Sequence, residues 1–73
     1  MSIAALAANP PALRNRIVRY VVDSEFGVAL TRTQTLEVAR LATDWHGQGP
    51  IDLPGCLARR VGGRIEIVAR PAS

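Results

Sequence analysis

The run Gly47-Gln48-Gly49-Pro50 constrains this chain more than any other feature. A glycine closes a helix readily, and a Gly-Pro pair prevents it from continuing. On the N-terminal side of the run, apolar residues recur at helical spacing. On the C-terminal side the sequence turns β-prone, with paired glycines at 62 and 63. Helices first and strands afterwards predict an α+β fold: two main helices followed by a short strand and a C-terminal β-hairpin.

Residues 2–8 are alanine-rich and helix-friendly, and Asn9-Pro10-Pro11 interrupts them. Asparagine favours the N-cap and proline the first helical position, so the first main helix is expected from about Pro10 to Val22. Leu13, Ile17, Tyr20 and Val21 fall on one face and form its expected apolar stripe, while Val18 and Val22 sit off that stripe and leave the helix open to contact on two sides. Asp23 to Leu30 reads as a loop broken at Gly27. Thr31 with Gln34 makes a capping-box pattern, which opens a second helix from about Arg32 to His46. Val38, Leu41, Ala42 and Trp45 form its apolar stripe, and Trp45 is expected to anchor the core. Glu37, Arg40 and Asp44 form a solvated charged stripe with helical ion pairs. Gly47 is the expected C-cap.

Beyond the break, Ile51-Asp52-Leu53 reads as a short strand ended by the turn pair Pro54-Gly55. Leu57 to Val61 and Arg64 to Val68 flank Gly62-Gly63. Two glycines between β-prone runs signal a hairpin with a type I′ turn, which needs positive φ twice. The expected register sets Arg59 opposite Glu66 and Ala58 opposite Ile67. It gathers Arg59, Arg60 and Arg64 near the hairpin tip. Pro71 to Ser73 are expected to fray.

With 73 residues, 1–73 is one small domain. A chain of this size buries only about 60% of its unfolded surface, and eleven of its apolar residues are alanine. Such a chain leans on a partner surface. Its nine cations are all arginine, and net charge is +3. Arginine's planar fork suits phosphate and carboxylate. Cys56 is the one cysteine, so no internal disulfide forms and a reducing compartment, the cytoplasm, is expected. The apolar run Met1 to Ala8 carries no positive charge and is too short for a bilayer, so neither a signal peptide nor a membrane partner is expected.

Side chains that carry chemistry are sparse. His46 is alone, whereas zinc needs three or four ligands, so its ordinary role is local hydrogen bonding at a helix end. No metal ligand set is expected. Cys56 has no histidine near it in sequence and reads as a small buried hydrophobe. Asp23, Glu25, Asp44 and Asp52 lie in separate elements and make no acid–base pair. Gly47-Gln48-Gly49 leads into a strand, not a helix, which excludes a nucleotide phosphate loop. No catalytic residue is assigned. Two arginine groups remain as candidate phosphate contacts: Arg14, Arg16 and Arg19 on or beside the first helix, and Arg59, Arg60 and Arg64 on the hairpin. The plain alternative for both is solubilising surface charge.

These pieces stand in a familiar order. Asn9-Pro-Pro-Ala-Leu-Arg-Asn-Arg-Ile-Val-Arg19 resembles the LP-x-A-L-R-R-R-V-L-R helix of tRNA(Ile)-lysidine synthases. Leu30-Thr31-Arg32 with Leu36-Glu37-Val38 resembles the next helix of that family. The run from Trp45 to Gly55 is similar to the helix-to-strand junction of actinobacterial members, and Arg59 to Ile65 to the closing hairpin. Residues 6–68 carry the resemblance, most specifically from Trp45 to Gly55. Cys56 departs from it, since many members carry glycine there.

The resemblance implies a region that follows an ATP-pyrophosphatase domain and binds the tRNA substrate. The family attaches lysine to the wobble cytidine of tRNA(Ile) at the expense of ATP. The Ser-Gly-Gly-x-Asp-Ser loop of its catalytic domain is missing from this chain, so ATP and magnesium are expected only in that absent domain. The chain is therefore expected to be inactive alone, with tRNA and the ATP-pyrophosphatase domain as partners. Arg14, Arg16, Arg19, Arg59, Arg60 and Arg64 match positions that are often basic in the family. A different reading makes the chain a protein-interaction module that docks a partner domain through its apolar helix faces. A third makes it a remnant without function.

Overall fold

A computed structural model describes residues 1–70, and the expected fraying of Pro71 to Ser73 lies outside them. Three helices precede three strands: α1 Ile3–Ala8, α2 Pro11–Phe26, α3 Arg32–Thr43, β1 Ile51–Leu53, β2 Cys56–Val61 and β3 Arg64–Ala69. The strands form an antiparallel sheet in chain order. The α+β architecture read from the sequence is therefore the one observed, with a short helix ahead of the two main ones.

Asn9 was the expected cap of the first main helix, but it closes α1 instead. Its side-chain Nδ2 donates to the Ala5 carbonyl at 2.6 Å and its backbone N–H to Leu6 at 3.2 Å. Pro10 then takes the cap position of α2 without a side-chain bond. Arg14 completes the junction, donating from Nε to Leu6 and from Nη2 to Asn9 carbonyls, both at 3.0 Å. One side chain from α2 thus gives the Leu6 carbonyl a second donor and the Asn9 carbonyl a partner at the end of α1.

Helix α2 runs one turn past Val22, through residues expected to be loop. Nothing between Asp23 and Phe26 breaks a helix, and the stop is Gly27, whose left-handed φ of 65° lets its N–H reach back to Asp23 at 2.8 Å. Its buried face also differs from the expected stripe. Val18 and Val22 are fully buried, whereas Leu13 is 42% and Tyr20 71% exposed. Tertiary ties set this rotation. Arg14 reaches α1, Arg19 reaches Thr35 of α3 at 3.1 Å, and Val18 and Val22 lie between those two directions on a 3.6-residue helix.

Helix α3 opens on the expected capping box. Thr31 Oγ1 accepts from the Gln34 N–H at 3.1 Å, and Gln34 Oε1 accepts from the Thr31 N–H at 2.9 Å. The helix stops at Thr43 rather than His46, with Asp44 as its cap in place of Gly47. Arg40 and Asp44 form the anticipated ion pair at 3.0 Å. The early stop moves Trp45 off the helix, and it is 43% exposed rather than a core anchor.

The sheet keeps the expected register, with Arg59 opposite Glu66 and Ala58 opposite Ile67. The hairpin turn is not the expected type I′, because only Gly62 has positive φ, 58°. Positive φ at the first central residue alone is the type II′ pattern. In the preceding Pro54-Gly55 turn the glycine takes φ 71°, as a type II turn requires after proline. The N-terminus adds a feature with no sequence signal. Met1 and Ile65 exchange backbone hydrogen bonds, each 2.8 Å, and the Ile3 N–H donates to Gly63, so residues 1–3 lie along the start of β3.

Between helices and sheet sits one core: Leu6, Val18, Val22, Leu30, Val38 and Leu41 meet Leu53, Cys56, Ala58 and Ile65. Strand alternation sends Cys56 and Ala58 toward the helices and Leu57 and Arg59 to the outer face. Burial pushes the Cys56 thiol pKa up, with the positive charge of Arg70 opposing.

Candidate nucleic-acid interface

Five of the nine arginines have side-chain partners within the described fold. Arg14 closes α1. Arg40 pairs with Asp44, and Arg59 with Glu66 at 3.1 Å. Arg60 points to the helix side of the sheet, where Nη1 donates to the Leu41 carbonyl at 3.0 Å and the guanidinium lies 4.9 Å from the Trp45 ring centroid. Arg19 uses Nε alone, on Thr35 Oγ1. That hydroxyl is itself buried and donates to the Thr31 carbonyl at 2.8 Å. Both Nη groups of Arg19 remain available to another partner.

Arg16, Arg32, Arg64 and Arg70 make no side-chain hydrogen bond or ion pair among the described residues. The structure therefore splits both sequence-predicted groups. On the hairpin, Arg59 and Arg64 belong to the outer face and Arg60 to the inner one, and only Arg64 is unengaged. On the helix, Arg14 turns to α1, while Arg16 and Arg19 face a groove between α2 and α3.

That groove has a volume of about 420 Å³ and is lined by Ala12, Asn15, Arg16, Arg19, Arg32 and Thr35. Three guanidinium groups line it and no carboxylate does. Arg32 was not singled out in sequence as a phosphate contact. Its signal was present in the capping box: Thr31 fixes the start of α3, and the next residue necessarily sits in the first turn of that helix. A second hollow, about 450 Å³, adjoins the groove. It shares Arg16 and Arg19 and adds Tyr20, Asp23, Ala29 and Leu30.

Chemically, the groove suits an oxyanion. Arginine binds phosphate through paired N–H donors, and a site free of carboxylates does not repel it. The described residues include no group of three His, Cys, Asp or Glu able to hold a metal ion. No described helix is long and apolar enough to cross a membrane.

Comparison with known proteins gives a consistent result. The chain is 57% identical over 65 residues to the tRNA(Ile)-lysidine synthase of Leifsonia xyli subsp. xyli, covering 89% of this chain and 20% of the relative. It is 47% identical over 70 residues to that of Streptomyces coelicolor, covering 92% and 20%. With the Thermobifida fusca enzyme it is 36% identical over 72 residues, covering 94% and 22%. The chain thus spans about one fifth of the length of the curated relatives it matches. No solved structure matches it. The TilS substrate binding domain family matches residues 1–66, nearly all of what folds here into three helices and a sheet, and the chain belongs to that family.

Proposed function

We propose that this chain is the tRNA-binding portion of a tRNA(Ile)-lysidine synthase, non-catalytic by itself, whose parent enzyme uses ATP to attach lysine to the wobble cytidine of tRNA(Ile). The observation that carries this reading is the family match over residues 1–66, on a chain of net charge +3 whose cations are all arginine. Affinity for a polyanion comes from cations that are not already neutralised. Among the six sequence-predicted arginines, Arg16, Arg19 and Arg64 meet phosphates directly. Arg14, Arg59 and Arg60 hold the surface that presents them.

Magnesium–ATP belongs to the ATP-pyrophosphatase domain of the parent enzyme, which is the partner of this domain in the cytoplasm. The residues present here do not fit that cofactor. Gly47-Gln48-Gly49 leads toward β1 rather than into a helix, and the described carboxylates form no metal-binding group. What this domain contributes is position, since binding tRNA through its backbone fixes register without reading sequence.

The test is a titration of labelled tRNA with the 73-residue chain at several salt concentrations. Each phosphate neutralised adds roughly −0.7 to −0.9 to the slope of log K against log salt, so three contacts predict a slope of about −2 to −3. Absence of binding at low salt refutes the reading.

A further inference from the structure

We infer that Arg16, Arg19, Arg32 and Tyr20 form one site for an unpaired RNA nucleotide, with its phosphate in the α2–α3 groove and its base against Tyr20. The inference rests on the tRNA-binding reading above and narrows it from a polyanion to a nucleotide that is not stacked in a duplex.

Two adjoining hollows differ in polarity. The groove holds three arginines, an asparagine amide and no carboxylate, which is the environment a phosphate requires. The neighbouring hollow holds Tyr20 and one acid, Asp23. A carboxylate repels phosphate but accepts hydrogen bonds from the amino and imino groups on base edges. Arg16 and Arg19 line both hollows, so an occupant of one continues directly into the other.

Tyr20 is the most exposed of the large hydrophobic residues, at 71%. An aromatic ring held on a helix beside a cationic groove is the arrangement by which proteins stack unpaired bases while tracking the backbone. Recognition of RNA that goes beyond shape falls on loops and ends, whose bases are free to stack on side chains. Arg16 and Arg19 are one helical turn apart, roughly 4.5 Å along the axis, and Arg32 faces them from α3. The Thr35 hydroxyl holds Arg19 by Nε, which fixes the guanidinium before any ligand arrives.

The experiment measures binding of the 73-residue chain to a single-stranded RNA decamer, the matching duplex and tRNA, across a salt series. Tyr20→Ala is expected to weaken binding to the single strand and to tRNA roughly 5- to 150-fold with the salt slope unchanged, since stacking is not an ionic contact. Tyr20→Phe is expected to retain wild-type affinity, and duplex binding to be unaffected by either change. Arg16→Ala with Arg32→Ala is expected to flatten the single-strand slope by about 1.4, which lowers affinity roughly 25-fold at 0.1 M salt. Neither arginine makes a side-chain hydrogen bond or ion pair among the described residues, so circular dichroism should match wild type. Arg40→Ala with Arg70→Ala removes the same charge away from the groove and should have a smaller effect.

Unchanged binding by folded Tyr20→Ala, or an equal loss on duplex and single strand, overturns the base site. If wild type binds tRNA with the expected slope but the groove variants bind equally well, the nucleotide site falls and the tRNA-binding reading stands. If wild type binds no RNA at low salt, both fall, and Tyr20 belongs to a protein-docking face.

Discussion

Replacing Arg60 by alanine tests whether this side chain belongs to the fold or to a ligand. Arg60 donates to the Leu41 carbonyl at 3.0 Å and lies 4.9 Å from the centre of the Trp45 ring. Leu41 sits in the last turn of α3, where carbonyls lack helical partners. A hydrogen bond from a charged donor contributes about 1.5–3 kcal/mol, and the partial exposure of Arg60 argues for the lower end. The cation–π contact at a half-exposed tryptophan adds about 0.5–1 kcal/mol. Together the loss is about 2 kcal/mol. For a domain of this length each kcal/mol moves the thermal midpoint by roughly 4–8 °C, so Arg60→Ala should melt about 8–16 °C lower. The assay is thermal unfolding followed by circular dichroism, with Trp45→Ala and the double variant completing a cycle. The double variant should lose less than the sum of the singles, by about the cation–π contribution. A midpoint within about 2 °C of wild type would refute the reasoning and return Arg60 to the solvent.

Two further outcomes follow from the packing. Val18→Ala, at a fully buried position, should lower stability by about 1.5–3 kcal/mol in urea titrations, whereas Leu13→Ala should cost under about 1 kcal/mol; the reverse order would restore the stripe expected from sequence. Burial raises the Cys56 thiol pKa, so the folded chain should resist iodoacetamide at pH 8 and react on unfolding. The pH dependence has a definite sign. The unfolded thiol loses its proton first, near pH 9, so the Cys56 contribution to stability is present below that pH and lost as pH rises toward the higher folded value. Cys56→Ala should remove that component.

Features settled within a few residues were legible in the sequence. Thr31 and Gln34 cap each other across one turn, and Gly62-Gly63 fixes a two-residue hairpin loop whose length alone sets Arg59 opposite Glu66. The turn type was not legible, because two glycines permit two positive φ values without requiring them. Features set by distant ties were not legible. Periodicity admits two apolar faces on α2, and the choice falls to Arg14 reaching α1 and Arg19 reaching α3. Likewise, Trp45 fits the α3 stripe in sequence, but the helix ends before reaching it. For the candidate site, arginine content was readable from composition, while its division between structural and unengaged side chains depends on which carbonyls and carboxylates the fold brings near. Arg32 joins Arg16 and Arg19 only because α3 packs beside α2.

The pairing of residues 1–3 with the start of β3 bears on how the sheet meets other chains. An open strand edge is a template for another strand, and proteins blunt it with covering segments, short strands, proline or charge. Here the turn-proximal part of β3 is covered by the N-terminal residues. The opposite edge is only the three residues of β1, bracketed by Pro50 and Pro54 with Asp52 between. Neither proline has an N–H to offer an incoming strand. Among the described residues the open backbone of the sheet is limited to short β1 and the far half of β3, from Glu66 to Ala69. The sheet is thus poorly suited to growing by strand addition, either with a partner or with its own copies. Mutations that loosen residues 1–3 should therefore show first as self-association.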